Sequence, residues 1–190
     1  MRIEYRTLGE GEISSRLFEG FERRQEVTRC WRRVGGEWVV RDMAFVDDWN
    51  AQDYARLAED LRRTVREGGL VAGAFAEGRL KGFCAVDGQL KGSRGQYADL
   101  ESLHVSRDMR GQGMGRRLFE LACEWARGRG ALSLYMSTHS SVESHAFYVA
   151  MGCVEAEEYL PEHVECEPFD VQMERRLGGE SGLLCTCRCF

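Results

Sequence analysis

Apolar residues recur along this chain with two different spacings, and each spacing predicts one kind of element. Recurrence at three and four residues, ended by glycine, predicts helices over residues 51–66, 113–129 and 141–151. Apolar runs and alternating patterns bounded by turn residues predict strands over residues 3–8, 70–76, 80–87, 97–105, 131–137, 153–160 and 169–177. An acidic turn is predicted between the last two strands, at residues 161–168.

The first fifty residues carry a weaker pattern. A stripe of leucine and phenylalanine predicts a helix over residues 16–24 that continues, with a bend, to the glycine pair at 35–36. Residues 38–49 show no regular period and combine tryptophans with aspartates. Two interpretations of this combination stay open: plain packing with solvated turns, or the wall of a pocket for a cationic substrate.

The order of the predicted elements indicates the fold class. The chain runs through a strand, two helices, three antiparallel strands, a helix, a strand, a helix and two strands. This order is typical of the α+β class, with a mixed, mostly antiparallel central sheet flanked by helices. We place one domain at residues 1–177. Residues 178–190 join a Gly/Ser linker to several cysteines, so we expect a flexible Gly/Cys-rich C-terminal tail that folding does not require.

Composition narrows the classes of function. The chain has 190 residues, a formal net charge of −5 and a pI near 5.5, which argue against binding nucleic acid or a membrane surface. No apolar run approaches a membrane span. The charged N-terminus lacks the apolar region of a signal peptide, so we expect a cytoplasmic protein.

The eight cysteines do not predict a metal site. No C-x-x-C pair occurs, which leaves structural zinc unsupported, and we expect no metal. Cys30, Cys84, Cys123 and Cys153 lie inside apolar patterns, where cysteine behaves as a small buried hydrophobic residue. The cysteines of the tail are compatible with reduced thiols in a disordered end, or with adventitious soft-metal binding and intermolecular disulfides.

Three glycines at alternate positions form the most informative local pattern. Gly111, Gly113 and Gly115 lie among arginines, between a predicted strand and a predicted helix. Glycine lets the backbone approach a ligand, and the first turn of a helix presents unpaired N–H groups at a positive dipole end. Together these features predict a phosphate-binding loop at residues 110–116. The spacing excludes a P-loop, which ends in Gly-Lys-Ser/Thr, and a Gly-x-Gly-x-x-Gly dinucleotide fingerprint.

The pattern that fits is Arg-x-x-Gly-x-Gly, formed by Arg110, Gly113 and Gly115. In its place between strand and helix it resembles the acetyl-CoA motif of the GNAT superfamily of N-acetyltransferases. Residues 141–153 resemble the second signature of that superfamily, Asn-x-x-Ala-x-x-Phe-Tyr-x-x-x-Gly-Phe, with the Phe-Tyr pair and the glycine kept. The order of elements also agrees with the superfamily over roughly residues 1–177.

This resemblance implies a GNAT-like acyl-CoA N-acyltransferase fold with acetyl-CoA as co-substrate. Backbone N–H groups of the glycine loop would hold the pyrophosphate. The main chain of the preceding strand would pair with the pantetheine arm in a splayed gap beside residues 132–137. The N–H of Val105 resembles the donor to the thioester carbonyl. The implied cofactor-binding residues are Leu103, His104, Val105, Arg110, Gly111, Gln112, Gly113, Met114, Gly115, Arg116, Ser141 and Phe147.

Acetyl transfer to an amine needs a base for the amine, a donor to the thioester carbonyl and an acid for the leaving thiolate. Tyr148 matches the tyrosine that protonates the sulfur in many relatives. The alternative for Tyr148 is a tyrosine packed on the sheet with a satisfied hydroxyl. His139 and His145, beside the second signature, are interpreted as surface or packed residues.

Two carboxylates are candidates for the base. Asp99 and Glu101 project from one strand face by period two, together with Leu103 and Val105, and His104 projects from the other face. Some relatives carry a catalytic glutamate at the position of Asp99. Either carboxylate, among apolar neighbours, can have a raised pKa and act as base, or can bind the cationic amine.

The acceptor is the least specified partner. Carboxylates that would line the acceptor side in this fold are Asp47, Asp48, Glu165, Glu167 and Asp170. They suit a polycationic small molecule, such as an aminoglycoside-like or streptothricin-like antibiotic or a polyamine. The leading hypothesis is direct acetyl transfer from acetyl-CoA to a primary amine in a ternary complex. The alternatives are a protein or peptide N-acetyltransferase, a non-catalytic acyl-CoA-binding regulator and a structural domain. Whether the chain forms a homodimer stays open.

Overall fold

A computed structural model describes residues 2–178, and within them nine strands form one large sheet and one separate hairpin. The strands, β1 to β9, are Ile3–Thr7, Arg24–Val34, Glu37–Asp48, Leu70–Ala76, Arg79–Lys91, Tyr97–Val105, Ser133–Thr138, Val154–Glu155 and Val171–Arg176. The central sheet has the order β1-β4-β5-β6-β7-β9-β8, and β2 pairs with β3. Neighbouring strands are antiparallel except β6 and β7. The predicted α+β fold with a mostly antiparallel sheet is therefore confirmed.

The α-helices of this part of the chain flank the sheet. They are α1 (Ala51–Arg66), α2 (Met114–Gly128), α3 (Val142–Ala150) and α4 (Pro161–Cys166). The apolar spacing predicts α1, α2 and α3 to within about one residue at each end. The acidic turn predicted at residues 161–168 is wrong, because α4 lies there. Pro161 is at the start of α4, where the missing N–H of proline costs no hydrogen bond.

Alternation along β4 divides the core into two layers, one on each face of the sheet. Ala72 and Ala74 belong to the layer that contains the apolar face of α2. Val71 and Phe75 belong to the layer that contains the apolar face of α1. Each buried apolar face contributes roughly 25 cal/mol per Å² removed from water, which is what holds the helices on the sheet.

The bent helix predicted over residues 16–36 is wrong. The structure has a 3-10 turn at Ser15–Phe18 followed by the β2–β3 hairpin. The pairing register of the hairpin shifts just after Val27, and the fully buried residues of β2 are Val27 and Cys30. Because these two residues are three positions apart, their spacing imitates one face of a helix.

The strands β6 and β7 run side by side only over their first residues. Tyr97–Asp99 pairs in parallel with Ser133–Tyr135, and beyond this point the two strands separate. The splayed gap that the sequence resemblance implies is therefore present. The main chain of β6 beyond Asp99 has no pairing with β7, although its other edge stays paired with β5.

A bulge at Glu101 reverses the side-chain alternation of β6. The register against β5 shifts there, and Glu101 is the extra residue. Leu100 packs in the α2 layer before the bulge, and Leu103 and Val105 pack in it after the bulge. The predicted common face of Asp99 with Leu103 and Val105 is therefore wrong. His104 points away from the α2 layer, to the side on which Asp99 lies.

The described residues end at 178, so the predicted tail over residues 178–190 lies almost entirely outside them. Cys30, Cys84, Cys123 and Cys153 are buried, as their apolar surroundings predict. Within residues 2–178, no helix combines the length and apolarity needed to cross a membrane. The same residues contain no group of three or more His, Cys, Asp or Glu side chains placed to hold a metal ion.

Candidate active site

The separation of β6 from β7 opens a cleft of about 660 Å³. The second half of β6, the glycine loop, the end of β7 and α3 line it, and the start of β2 borders one side. The predicted site residues in the lining are Glu101, Leu103, His104, Val105, Arg110, Gly111, Gly113, Met114, Gly115, Arg116, Phe147 and Tyr148. The predicted site residues outside the lining are Asp99, Gln112 and Ser141.

The glycine loop has the conformation that an anion site needs. Gly111 and Gly113 have φ angles of 76° and 81°, and a Cβ at either position would meet nothing within 4 Å. Gly113 is the N-cap of α2 and provides no side-chain cap, so the first N–H groups of α2 stay available. Arg110 donates from Nε to the Val105 carbonyl at 3.2 Å, which ties the loop to β6.

Tyr148 reaches the cleft from α3. Its ring packs against Phe119 and Phe147, with centroid distances of 6.0 and 5.1 Å. Tyr148 lines the cleft, and within the described part of the chain no hydrogen bond acts on its hydroxyl, which leaves the donor for a ligand. Burial raises the pKa of Tyr148, so the phenol keeps its proton at neutral pH. These features are those of a proton donor held by its ring.

Glu101 is an exposed carboxylate in the cleft, placed there by the β6 bulge. Its Oε2 accepts a hydrogen bond from the Thr64 hydroxyl of α1 at 2.8 Å. Although the residue as a whole is exposed, desolvation of its carboxyl group raises the pKa of Glu101, and the nearby Asp87 and Asp99 add to the rise, while the Thr64 hydrogen bond opposes it. A carboxylate with a raised pKa is a better proton acceptor than an ordinary one.

Asp99 is buried beside the cleft and is held by charged partners. Its Oδ2 lies 2.8 Å from Lys91 Nζ and 2.7 Å from Nε2 of His163 on α4. Lys91 Nζ also lies 3.1 Å from an Asp87 oxygen. Of the two predicted bases, therefore, only Glu101 faces the cleft. No sequence pattern pointed to Lys91 and His163. Pairing of β5 with β6 brings Lys91 to Asp99 from eight positions away, and α4 brings His163 from 64 positions away.

The contact between His163 and Asp99 should make stability depend on pH. Asp99 raises the pKa of His163 in the folded state, so folding favours the protonated ring. That contribution is fully present below the unfolded-state pKa of about 6.5 and is lost as pH rises through the higher folded-state value. His163→Gln should therefore lower the melting temperature more at about pH 6 than at about pH 9. Equal losses in thermal melts at the two pH values would contradict this linkage.

Arg23 is a buried cation that the sequence pattern did not single out. Its Nη2 lies 2.6 Å from Asp47 Oδ2, and its Nε donates to His104 Nδ1 at 3.2 Å. Its guanidinium also lies over the Trp49 ring, 5.3 Å from the centroid. Burial, together with the charge of Arg23, lowers the pKa of His104 to about 3, so this ring stays neutral. Asp47 in β3 and Trp49 just after it therefore hold the guanidinium of Arg23, a residue that lines the cleft.

Two of the carboxylates expected on the acceptor side lie near His139, directly after β7, and a third, Asp170, lies near Ser140. Asp47 and Glu167 both act electrostatically on His139, although burial outweighs them and lowers its pKa. Burial and a hydrogen bond with Glu167 raise the pKa of Asp170. The other two expected carboxylates are exposed: Asp48 and Glu165.

Ser141 and Gln112 have structural contacts. The Ser141 Oγ accepts the Ser144 N–H at 3.3 Å and a hydrogen bond from Gln25 at 3.0 Å, so Ser141 caps α3. The Gln112 amide lies 3.8 Å from the sulfur of Met109. The predicted contacts of Ser141 and Gln112 with a cofactor stay predictions.

Sequence comparison decides the family. Residues 27–153, about two thirds of the chain, match the family model described as Acetyltransferase (GNAT) family. The chain belongs to the GNAT acetyltransferase family. The match contains the glycine loop, Glu101 and Tyr148, and it makes this chain a GNAT-type acyltransferase, as the motif at Arg110 predicts. Comparison of the sequence with curated proteins found no match.

Solved structures share the GNAT fold. A nourseothricin acetyltransferase is 18% identical, with a TM-score of 0.66 over 94% of this chain and 100% of its own. A Bacillus anthracis protein assigned as a streptothricin acetyltransferase, in complex with acetyl coenzyme A, is 18% identical, with a TM-score of 0.68 over 92% and 96%. The paia N-acetyltransferase from Thermoplasma acidophilum, in complex with coenzyme A, is 17% identical, with a TM-score of 0.59 over 93% and 99%. At these identities the likeness shows the fold alone.

Proposed function

We propose that this GNAT enzyme transfers the acetyl group of acetyl-CoA directly to a primary amine of a cationic small molecule, in a ternary complex. The observation that carries the proposal is the cleft beside β6. It joins an open glycine loop, a carboxylate with a raised pKa at Glu101 and a free phenol at Tyr148. Anion site, base and acid are the groups that amine acetylation needs.

Acetyl-CoA fits the features of the loop and of β6. The free N–H groups at the start of α2, with Arg110 and Arg116 beside them, suit a pyrophosphate. The main chain of residues 103–105 lies beyond the part of β6 that pairs with β7. An extended pantetheine arm can therefore lie there as a further strand would. Two of the similar structures hold acetyl coenzyme A or coenzyme A.

The transfer then needs three proton movements. Glu101, through water, takes a proton from the ammonium and releases it to solvent, so that the neutral nitrogen can attack the thioester carbonyl, where the C–N bond forms. The attacking nitrogen then carries one proton more than an amide, and Glu101 takes this second proton and returns it to solvent. The Val105 N–H stabilises the charge that develops on the carbonyl oxygen. The C–S bond breaks, and Tyr148 gives its hydroxyl proton to the leaving sulfur. The products are the N-acetylated amine and CoA, and solvent returns a proton to Tyr148.

The charges on the open side of the cleft support a cationic acceptor. Glu26 and Glu143 line the cleft, and Glu167 lies close enough to His139 to act on it electrostatically. A carboxylate surface attracts ammonium groups and raises their local concentration. Two of the similar structures carry the names nourseothricin and streptothricin acetyltransferase, and we extend that kind of acceptor to this chain.

Gly113→Asp should remove acetyl-CoA binding. The φ angle of 81° strains any residue with a side chain, and the added carboxylate would lie where phosphate binds. Gly130→Asp is the matched control, because Gly130 has a φ angle of 82°, open surroundings and no place in the cleft lining. Calorimetry should show a loss of acetyl-CoA affinity of at least about 100-fold for Gly113→Asp only, about 2.7 kcal/mol. Similar affinities for both variants would contradict the loop assignment.

An amine panel tests the proposed activity. The panel contains aminoglycosides, streptothricin-type antibiotics, polyamines and peptides, and the readouts are release of free thiol from acetyl-CoA and the mass of the product. We expect amine-dependent thiol release with cationic small molecules and a mass gain of one acetyl group. Thiol release with peptides alone would indicate a protein or peptide N-acetyltransferase instead. Binding of acetyl-CoA without release of free thiol for any amine would indicate a non-catalytic acyl-CoA-binding protein.

A further inference from the structure

Arg23 presents a buried donor with no partner at the hairpin side of the cleft. Its side chain is only 8% exposed. Two of its nitrogens have partners within the chain, since Nη2 contacts Asp47 and Nε donates to His104. The third, Nη1, is buried and has no hydrogen-bond acceptor among residues 2–178. An unpaired buried guanidinium donor is costly, so an oxygen from a ligand would complete the site.

The position of Arg23 assigns that oxygen to the acceptor rather than to acetyl-CoA. Arg23 packs with Trp49 and His104 on the hairpin side of β6. The glycine loop leads into α2, which packs on the opposite face with Leu103 and Val105. In the cleft, Arg23 lies close enough to His139, directly after β7, to act on it electrostatically, as it also does on Arg110.

The neighbours of Nη1 also limit the kind of oxygen. Asp47 already pairs with the guanidinium at 2.6 Å. A second carboxylate at Nη1 would lie close to Asp47 and be repelled by it, whereas a neutral carbonyl oxygen would not. The guanidinium is held by Asp47 and His104 and lines the same cleft as Glu101, the base in the proposed reaction, so it can recognise a second group of the acceptor.

We infer that Arg23 Nη1 binds a neutral carbonyl oxygen next to the acceptor amine. Arg23 is then a specificity-determining residue that favours aminoacyl amides, in which a carboxamide lies beside the amine, over plain polyamines. This inference rests on the proposed acetyl transfer to small amines and narrows its acceptor class.

Lysinamide and cadaverine test the inference, because they are the same diamine chain with and without the carboxamide. The measured quantity is the ratio of kcat/KM for lysinamide to kcat/KM for cadaverine. Comparing that ratio between proteins cancels the different intrinsic reactivities of the two amines. Arg23→Lys keeps a positive charge beside Asp47 but replaces the planar guanidinium by one ammonium nitrogen, so the separate Nη1 donor is lost. The control is Arg24→Lys, because Arg24 is the next residue, pairs with Asp48 near the surface and lies outside the cleft lining.

We expect Arg23→Lys to lower the ratio roughly tenfold to hundredfold, the range for a hydrogen bond from a charged donor. The KM for acetyl-CoA should stay unchanged, and Arg24→Lys should keep the wild-type ratio. An equal loss for both amines, or a rise in the KM for acetyl-CoA alone, would overturn the inference while leaving the proposed activity intact. Absence of turnover with every amine would overturn the proposed activity, and this inference with it.

Calorimetry on the wild-type protein keeps the inference testable if Arg23→Lys does not fold. The protein is saturated with CoA, so that no reaction occurs, and lysinamide and cadaverine are titrated separately. We expect lysinamide to bind at least about tenfold more tightly, again the lower limit for one charge-assisted hydrogen bond. Equal affinities, or tighter binding of cadaverine, would overturn the inference.

Discussion

Tyr148→Phe should keep acetyl-CoA affinity and lose most of the turnover. The phenylalanine retains the packing of the ring on Phe119 and Phe147 and deletes only the hydroxyl. If that hydroxyl protonates the leaving thiolate, kcat should fall by roughly 10² to 10⁴, the range of a positioned proton donor. Because the interaction is made in the transition state, kcat and kcat/KM should fall together. Steady-state kinetics with an amine from the panel, and calorimetry with acetyl-CoA, measure both quantities.

The control for this substitution is Tyr159→Phe, which removes a tyrosine hydroxyl outside the cleft lining. It should keep the wild-type kcat. If Tyr148→Phe lowers kcat by less than about threefold while chemistry limits the rate, water protonates the thiolate. Tyr148 is then a packing residue.

Glu101→Gln should lower kcat/KM by roughly 10² to 10⁴, because the amide has the shape of the carboxylate and cannot accept the proton. In the wild-type protein, kcat/KM should decline as pH falls through the raised pKa of Glu101, since the protonated carboxyl is no longer a base. The glutamine variant should lose that acid limb. The pH dependence of kcat/KM in both proteins checks the role.

Thr64→Val refines this experiment without touching Glu101 itself. The Thr64 hydroxyl donates to Glu101 at 2.8 Å and lowers the pKa of that carboxyl. Its removal should shift the acid limb of kcat/KM to higher pH while the rate on the plateau stays close to wild type. If the limb does not move in Thr64→Val and persists in Glu101→Gln, another group titrates. Water would then be the base.

The glycine loop and the helices were predictable because their signals are local. The loop is specified by Gly111, Gly113 and the helix that starts directly after them, within a few residues of sequence. The stripes of α1 and α2 likewise repeat within each helix, at the spacing that packing on a sheet requires. For these elements, the spacing of apolar residues along the chain is enough to predict the structure.

The predictions that were wrong concern features that depend on pairing between strands. Val27 and Cys30 imitate a helix face because the hairpin pairs irregularly between them. The bulge at Glu101 is defined only against β5, so alternation along β6 alone misplaces every residue after it. The alternation of side chains along one strand cannot reveal a bulge, because a bulge is two residues lying opposite one residue of the partner strand.

The residues that were missed are those that tertiary structure brings together. His163 reaches Asp99 across 64 positions of sequence, and Arg23 reaches His104 across 81. Each lies among other charged and polar residues, a pattern that is typical of solvated surface. Burial and the loss of solvation, not residue type, make these side chains part of the cleft or of its support.

Residue-resolved amide hydrogen exchange with and without acetyl-CoA tests most directly whether the cleft beside β6 is the site of the GNAT chemistry. The predicted result is added protection at residues 103–105, where the main chain of β6 gains a partner, and at 111–116 in the glycine loop. Residues of β1, on the far edge of the sheet, should be unchanged. Saturating acetyl-CoA that leaves both segments unprotected, or that protects a different face of the sheet, would contradict this assignment.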